Sequence, residues 1–356
     1  MADDFYRLEG VTHRLRFKRR VRTSRGSLTD HEVLYLKLTE PGTGRTGWGE
    51  AAPLPGLSPD SVEAIQSWVR NHPRVSAADP LEEVPPGYPA LRFGLETAWK
   101  SVRSSDPFQL YPSPFVDGKG GIPINGLVWM GSKREMEREL RQKVAQGFSC
   151  LKLKIGALHW EEERDLLRGF RARYPAERYE LRVDANGAFS ADTVWPVLEE
   201  LERLQVHSIE QPVPAGDWEL LANICRNSPV PIALDEELIG IETAERRRAL
   251  LATVGPAYLI LKPTLIGGIA AAEEWIRFAA DARVGWWATS ALESNLGLNA
   301  IAQWVATWDP DLPQGLGTGA LYTNNLTSPL EVREGRLHLN PRGRWSTPEA
   351  LQTTHG

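Results

Sequence analysis

The sequence predicts an α/β protein: a (β/α)8-type barrel with an N-terminal α+β capping domain completed by the C-terminal tail. Three observations predict it. Strands followed by helices, without alternation, occupy the first 118 residues. Short apolar runs separated by helix-compatible segments then recur about every 25–30 residues, one βα unit each time. Several of these runs end in a charged residue, as strands of a barrel do at its catalytic rim.

In the capping domain (1–118), Leu15, Phe17 and Val21 alternate with Arg14, Arg16, Lys18, Arg20 and Arg22, the period of a half-exposed strand. Val33, Tyr35 and Leu36 to Leu38 suggest a second strand and Arg45 to Ala51 a third, joined through Gly42 and Gly44. Helices are expected near 59–71 and 89–104. Pro112, Pro114, Gly118, Gly120 and Gly121 mark the boundary. Barrel strands of the catalytic domain (119–325) are expected near 122–128, 150–155, 179–184, 206–210, 230–235, 257–262, 285–290 and 313–317. Ser132 with Glu135 fits a capping box, and Gly147 stands where that helix should end. A doubly wound sheet would carry a Gly-rich nucleotide turn after its first strand. The segment there is Gly126-Leu127-Val128-Trp129-Met130-Gly131 instead. In the tail (326–356), Leu330 to Val332 and Leu337 to Leu339 flank Glu334-Gly335, a hairpin expected to return to the open edge of the first sheet.

Composition narrows the function classes. Lys and Arg total 41 against 46 Asp and Glu, a net charge of −5 that gives no drive toward nucleic acid or anionic membranes. The seven basic residues between Arg14 and Arg25 read as a solvated strand face, with no aromatic stacking motif beside them. Cys150 and Cys225 are the only cysteines, which excludes a disulfide scaffold. No run approaches the ~20 apolar residues of a membrane span. Met1-Ala2-Asp3-Asp4-Phe5 lacks the regions of a signal peptide, so a cytoplasmic location is expected. The oligomeric state is not legible. The seven His are scattered without metal-site spacing, and alternation turns His207 toward the helices.

Five runs end in charge: Leu151-Lys152-Leu153-Lys154-Ile155, Leu181-Arg182-Val183-Asp184, Ser208-Ile209-Glu210, Ile232-Ala233-Leu234-Asp235 and Leu259-Ile260-Leu261-Lys262. Alternation sends the leucines, isoleucines and valines next to these charges toward the helices, and Lys152, Lys154, Asp184, Glu210, Asp235 and Lys262 into the barrel. Any one of them alone is an ordinary solvated strand end. Asp184, Glu210 and Asp235, however, lie 26 and 25 residues apart, on successive strands at equal depth. Three converging carboxylates repel unless a cation neutralises them, and an all-oxygen donor set favours Mg2+ over zinc, with Mn2+ as the alternative. Lysines on the strand before and the strand after the trio then flank the ion.

That arrangement suits removal of a proton next to a carboxylate, a step whose enediolate needs electrostatic support. Lys154 is the expected base, with its pKa lowered by Lys152 and the metal. Lys262 either stays protonated and stabilises the intermediate or acts as acid or base on the opposite face. Two readings compete with this one: a metal-free Schiff-base lyase on Lys262, which leaves the carboxylates unexplained, and a barrel reused as a binding scaffold.

At Lys152-Leu153-Lys154, Val183-Asp184-Ala185-Asn186-Gly187, Ile209-Glu210-Gln211-Pro212, Leu234-Asp235-Glu236 and Leu261-Lys262-Pro263, the chain resembles the enolase superfamily. The branch it resembles has a lysine pair and contains muconate cycloisomerases, dipeptide epimerases and o-succinylbenzoate synthases. The resemblance implies Lys154 as base, Lys262 as the opposing lysine, Asp184, Glu210 and Asp235 as Mg2+ ligands, and Glu236 orienting a lysine. Asn186 and Gln211 support ligands or form strand-end turns.

Ile124 to Gly131 and Gly315-Leu316-Gly317-Thr318-Gly319 resemble the synthases of this branch. Dipeptide epimerases commonly carry Asp-x-Asp after the last strand to hold an ammonium, and Gly317-Thr318-Gly319 has no carboxylate. The resemblance therefore implies a small-molecule carboxylate substrate and syn-dehydration of 2-succinyl-6-hydroxy-2,4-cyclohexadiene-1-carboxylate, a step of menaquinone synthesis. An N-acylamino acid racemase or dipeptide epimerase of the same superfamily is the alternative. Gly47 to Gly56 resembles the mobile loop that closes over substrate, and Ser290, Gly317 and Thr318 are expected near the substrate carboxylates.

Overall fold

The computed structural model describes residues 4–23 and 26–351. Its N-terminal part is an antiparallel sheet in the order Thr46–Ala51, Gly26–Thr39, Phe5–Thr23, Arg74–Ser76. The alternation read in the sequence is physical: Leu15, Phe17 and Val21 are buried while Arg14, Arg16 and Lys18 are exposed. Helices Val62–Asn71 and Pro89–Arg103 pack on the sheet, with Leu36, Ile65, Val69, Leu91 and Leu95 in one apolar cluster. The second helix lies so close to the sheet that a Cβ on Gly49 would stand 1.9 Å from the Gly94 carbonyl oxygen. Only glycine fits there.

Seven parallel strands follow in chain order: Gly126–Val128, Cys150–Lys154, Glu180–Asp184, Ser208–Glu210, Ile232–Leu234, Tyr258–Leu261 and Gly285–Ala288. The eighth stave is not a regular strand. Isolated parallel bridges at Gln314 to Ile124 and Gly315 to Thr289 join the first and last strands. Pro313 has no N–H, the glycines beyond it favour no strand, and the Gln314 side chain takes over a ladder position by accepting from Ala288 N at 2.7 Å. Leu151, Leu153, Leu181, Val183, Ile209, Leu234 and Leu261 share one core with helix residues such as Leu167, Val197 and Ile301, while Ala233, Ile260 and Trp287 form a separate interior cluster. Arg182 plugs the barrel below the site: it lies 4.0 Å over the Trp287 ring and donates to Pro313 O at 2.8 Å.

Two expectations are corrected. His207 does not face the helices; its ring meets Tyr258 and Trp287 at the closed end of the barrel, because the strand begins only at Ser208 and alternation does not extend back to it. The tail hairpin, Leu330–Arg333 with Arg336–Leu339, turns at Glu334 and Gly335, both at positive φ, but adds to Gly121–Pro123 rather than to the N-terminal sheet. That sheet's edge is met at Phe17 by Tyr322, with Thr323 N donating to Arg16 O at 2.8 Å. Beyond the hairpin the tail does reach the N-terminal part, where Trp345 stacks on Phe108 and Glu349 pairs with Lys37.

The N-terminal part sits over the rim where barrel strands give way to helix N-termini. Glu50 accepts from Ser294 N at 2.7 Å and Gly297 N at 2.8 Å, at the start of Asn295–Ala306. Glu96 accepts from Ile269 N at 2.6 Å and Ala270 N at 2.9 Å, at the start of Ile269–Ala282, whose N-cap Gly268 has no side chain to offer. Carboxyl oxygens that take up the unpaired N–H groups of these helix starts fasten the two parts together. No helix among the described residues is long and apolar enough to cross a membrane.

Candidate active site

Lys152 and Lys154 project from one strand into the barrel, two residues apart as alternation requires. Asp184 is paired beside Lys154 on the next strand and Glu210 beside Asp184 on the one after. Asp235 and Lys262 stand just past the ends of the following two strands. Lys154 and Lys262 are thus four staves apart, on opposite sides of an eight-place barrel.

The lysines and acids neutralise one another. Lys152 Nζ lies 3.0 Å from Asp184 Oδ2 and 2.5 Å from Glu210 Oε2. Lys154 Nζ donates to Asp184 Oδ2 at 2.8 Å and to Asn186 Oδ1 at 2.7 Å, and Lys262 pairs with Asp235. Burial opposes the charge on Asp184, but Lys152, Lys154 and Lys262 outweigh it and hold the carboxyl far below its ordinary value. Burial likewise opposes the ammoniums of Lys152 and Lys262. Asp184 and Glu210 raise the first, and Asp235 leads in raising the second. Glu210 shows the opposite balance: burial, then Asp184, push it up to about 8.

The supporting residues divide by task. Asn186, at φ 44°, leaves the strand in the left-handed region that Asn tolerates; its N–H bonds Asp184 Oδ1 and its Nδ2 donates to Glu236 Oε1 at 2.9 Å. Glu236 therefore acts on Lys154 through Asn186. Gln211 is fully buried, and its Oε1 accepts from Asp235 N and Glu237 N, so it shapes the turn that presents Asp235. Glu210 Oε1 is buried without a hydrogen-bond partner, while Oε2 is taken up by the ion pair with Lys152. Among the described residues no group of three or more His, Cys, Asp or Glu is arranged around a common metal position. Each acid is turned to a lysine instead.

A cavity of about 270 Å³ opens over this cluster. Lys152, Lys154, Asp184, Asn186, Glu236 and Lys262 line its polar end, and Leu28, Leu54, Leu57, Trp129 and Leu321 its apolar side. Ser290, Gly317 and Thr318 also line it. Ser290 Oγ donates to Glu293 Oε2 at 2.5 Å and accepts from Thr318 Oγ1 at 2.8 Å, so neither hydroxyl proton points freely at a ligand. Sequence reasoning missed Glu293, which gathers Ser290, Thr264 Oγ1 and Ala291 N. It also missed Asn125 and Thr289, cavity residues whose Oδ1 and Oγ1 are buried without a partner. Asn125 lay in view inside the motif at 124–131; Glu293 stands just before helix Asn295–Ala306, where a polar residue is ordinary and nothing local marks it.

A family model described as enolase C-terminal domain-like matches residues 135–349. Over 354 aligned residues, 90% of this chain and 95% of the relative, the sequence is 42% identical to an o-succinylbenzoate synthase of Desulfotalea psychrophila. The crystal structure of MenC from Desulfotalea psychrophila is similar with a TM-score of 0.83 at 39% identity, covering 94% of this chain and 99% of that one. A muconate lactonizing enzyme from Pseudomonas fluorescens, at 20% identity, has a TM-score of 0.85 with 99% of both chains covered, a likeness of fold.

Proposed function

The chain belongs to the enolase C-terminal domain-like family, and from that premise we propose that it is a hydro-lyase converting 2-succinyl-6-hydroxy-2,4-cyclohexadiene-1-carboxylate to o-succinylbenzoate. The observation that carries the reading is the lysine pair, Lys154 and Lys262, facing one cavity in a chain 42% identical to such a synthase.

Asp184, Glu210 and Asp235 would hold Mg2+, or Mn2+. The fit rests on Glu210, whose buried Oε1 lacks a hydrogen-bond donor, and on the all-oxygen chemistry of the three groups. Bound there, a divalent ion supplies electrostatic stabilisation to negative charge on the substrate carboxylate.

The protein's own groups do the rest. Lys154 Nζ, as the free amine, takes the proton from the ring carbon that bears the carboxylate. Asp184 Oδ2 and Asn186 Oδ1 fix that nitrogen in place, and Glu236 fixes Asn186. Lys262 stays an ammonium and faces the enediolate charge from the other side. The same Lys154 proton then passes to the C6 hydroxyl, the C–O bond breaks with its electron pair leaving in the water, and the enediolate's electron pair forms the C1–C6 double bond that completes the aromatic ring. Positioned proton transfer of this kind contributes roughly 10²–10⁴-fold to rate. The apolar side of the cavity keeps bulk water from the enediolate. We place the step in cytoplasmic menaquinone synthesis.

The test is to supply the cyclohexadiene substrate and follow formation of the aromatic product. Turnover to o-succinylbenzoate supports the assignment. Failure to form it, together with deuterium exchange at the α-carbon of N-acyl amino acids in deuterated water, would move the chain to the racemases.

A further inference from the structure

The residues that cover the apolar side of the cavity include Leu54, Pro55 and Leu57, on the loop that follows strand Thr46–Ala51. Within itself this loop has only short-range bonds, Leu57 N to Leu54 O at 3.1 Å and Leu54 N to Ser58 Oγ at 2.8 Å. Leu54 and Leu57 pack on the core, and among the described residues the loop's hydrogen bond to the rest of the molecule comes from a side chain that the chemistry above does not use. His31, 2% exposed and opposite Leu15 in the long ribbon, places Nε2 3.2 Å from Pro53 O and Nδ1 3.1 Å from Leu292 O. Pro53 opens the loop. Leu292, held at φ 67°, is a cavity residue on the barrel rim.

Both partners of the ring are carbonyls, which accept only. Burial pushes the imidazole pKa below its ordinary value, so near neutral pH the ring is neutral and has one N–H. The two carbonyls compete for it unequally. Leu292 O already accepts from Tyr322 Oη at 2.5 Å, whereas among the described residues Pro53 O has no other hydrogen-bond donor. The proton belongs on Nε2, pointing at the loop.

We propose that His31 is a positioning residue for the reaction: its Nε2–H to Pro53 O fastens the loop carrying Leu54 and Leu57 over the substrate while its other edge rests against the rim at Leu292. It touches no reacting atom. Its effect falls on how well the apolar wall is held against the substrate, hence on KM more than on kcat. As a claim about catalysis it rests on the dehydratase reading, but the fastening itself does not.

Two amide side chains separate this role from simple packing, because glutamine can reach the Nε2 position and asparagine only the Nδ1 position. His31→Gln, His31→Asn and His31→Phe are compared with wild type in two readouts: steady-state formation of o-succinylbenzoate, and amide hydrogen exchange of the segment 54–58. His31→Gln should keep KM and loop exchange within about threefold. His31→Asn and His31→Phe should raise both about tenfold with kcat within about threefold, the effect of one lost hydrogen bond. Equal behaviour of the two amides, or an unchanged Phe variant, overturns the proposal. A wild-type protein that forms no o-succinylbenzoate defeats the dehydratase reading alone, and loop exchange then decides on His31.

Discussion

Replacing Glu96 by Gln tests how the N-terminal part is fastened to the barrel. Glu96 reaches from helix Pro89–Arg103 to the first N–H groups of Ile269–Ala282, where Gly268 supplies no cap of its own. Burial raises its pKa from 4.5 to about 7; the bonds from Ile269 and Ala270 pull it down without winning, Glu273 adds to the rise and Lys100 opposes it. The folded pKa therefore lies above the unfolded one. Between the two values the folded protein holds a proton that the unfolded chain has released, so this residue's contribution is full below the unfolded pKa and is lost as pH rises through the folded one. A rise from 4.5 to about 7, at about 1.4 kcal/mol per pH unit, amounts to about 3 kcal/mol. Glu50 is similarly raised to about 7, but it is present in both proteins and cancels in their difference. Urea unfolding followed by tryptophan fluorescence, from about pH 4.5 to about pH 7.5, should show the wild type losing about 3 kcal/mol relative to Glu96→Gln. A stability difference that stays flat across that range would refute the reasoning.

Other expectations concern the site and its frame. Lys154→Ala should lower kcat by about 10³-fold or more while calorimetric Mg2+ affinity stays within about threefold, since the side chain is assigned to proton transfer. Glu236→Gln leaves Lys154 in place but weakens the hold on Asn186, and should lower kcat about tenfold with little change in KM. Gly49→Ala would drive a Cβ to 1.9 Å from Gly94 O and should destabilise the N-terminal part by about 3 kcal/mol, read as a fall in the unfolding midpoint.

The polar floor of the site was legible because the barrel enforces it. An apolar run with period-two alternation leaves its terminal charge no choice but the interior, and Lys154, Asp184, Glu210, Asp235 and Lys262 all stand where that rule sends them. The rule stopped where strands stopped. His207 lies one residue before its strand, and Gln314 and Gly315 close the barrel by single bridges that carry no strand-like pattern. The hairpin at Glu334-Gly335 announced itself through its turn, but strand propensity does not say which edge a hairpin will find, and Gly121–Pro123 was the edge available. Least legible were contacts made to backbone carbonyls. His31 and Leu292 are 261 residues apart, and nothing about an imidazole in a strand names a distant C=O as its partner.

The proposed chemistry depends on a divalent cation held by Asp184, Glu210 and Asp235. The direct measurement is o-succinylbenzoate formation by protein stripped with a chelator, then titrated with Mg2+. Activity should vanish on stripping and return at about one ion per chain, and should fail to return in Asp184→Asn. Full turnover by the stripped protein, or recovery in the Asp184 variant at the wild-type ion concentration, would contradict it.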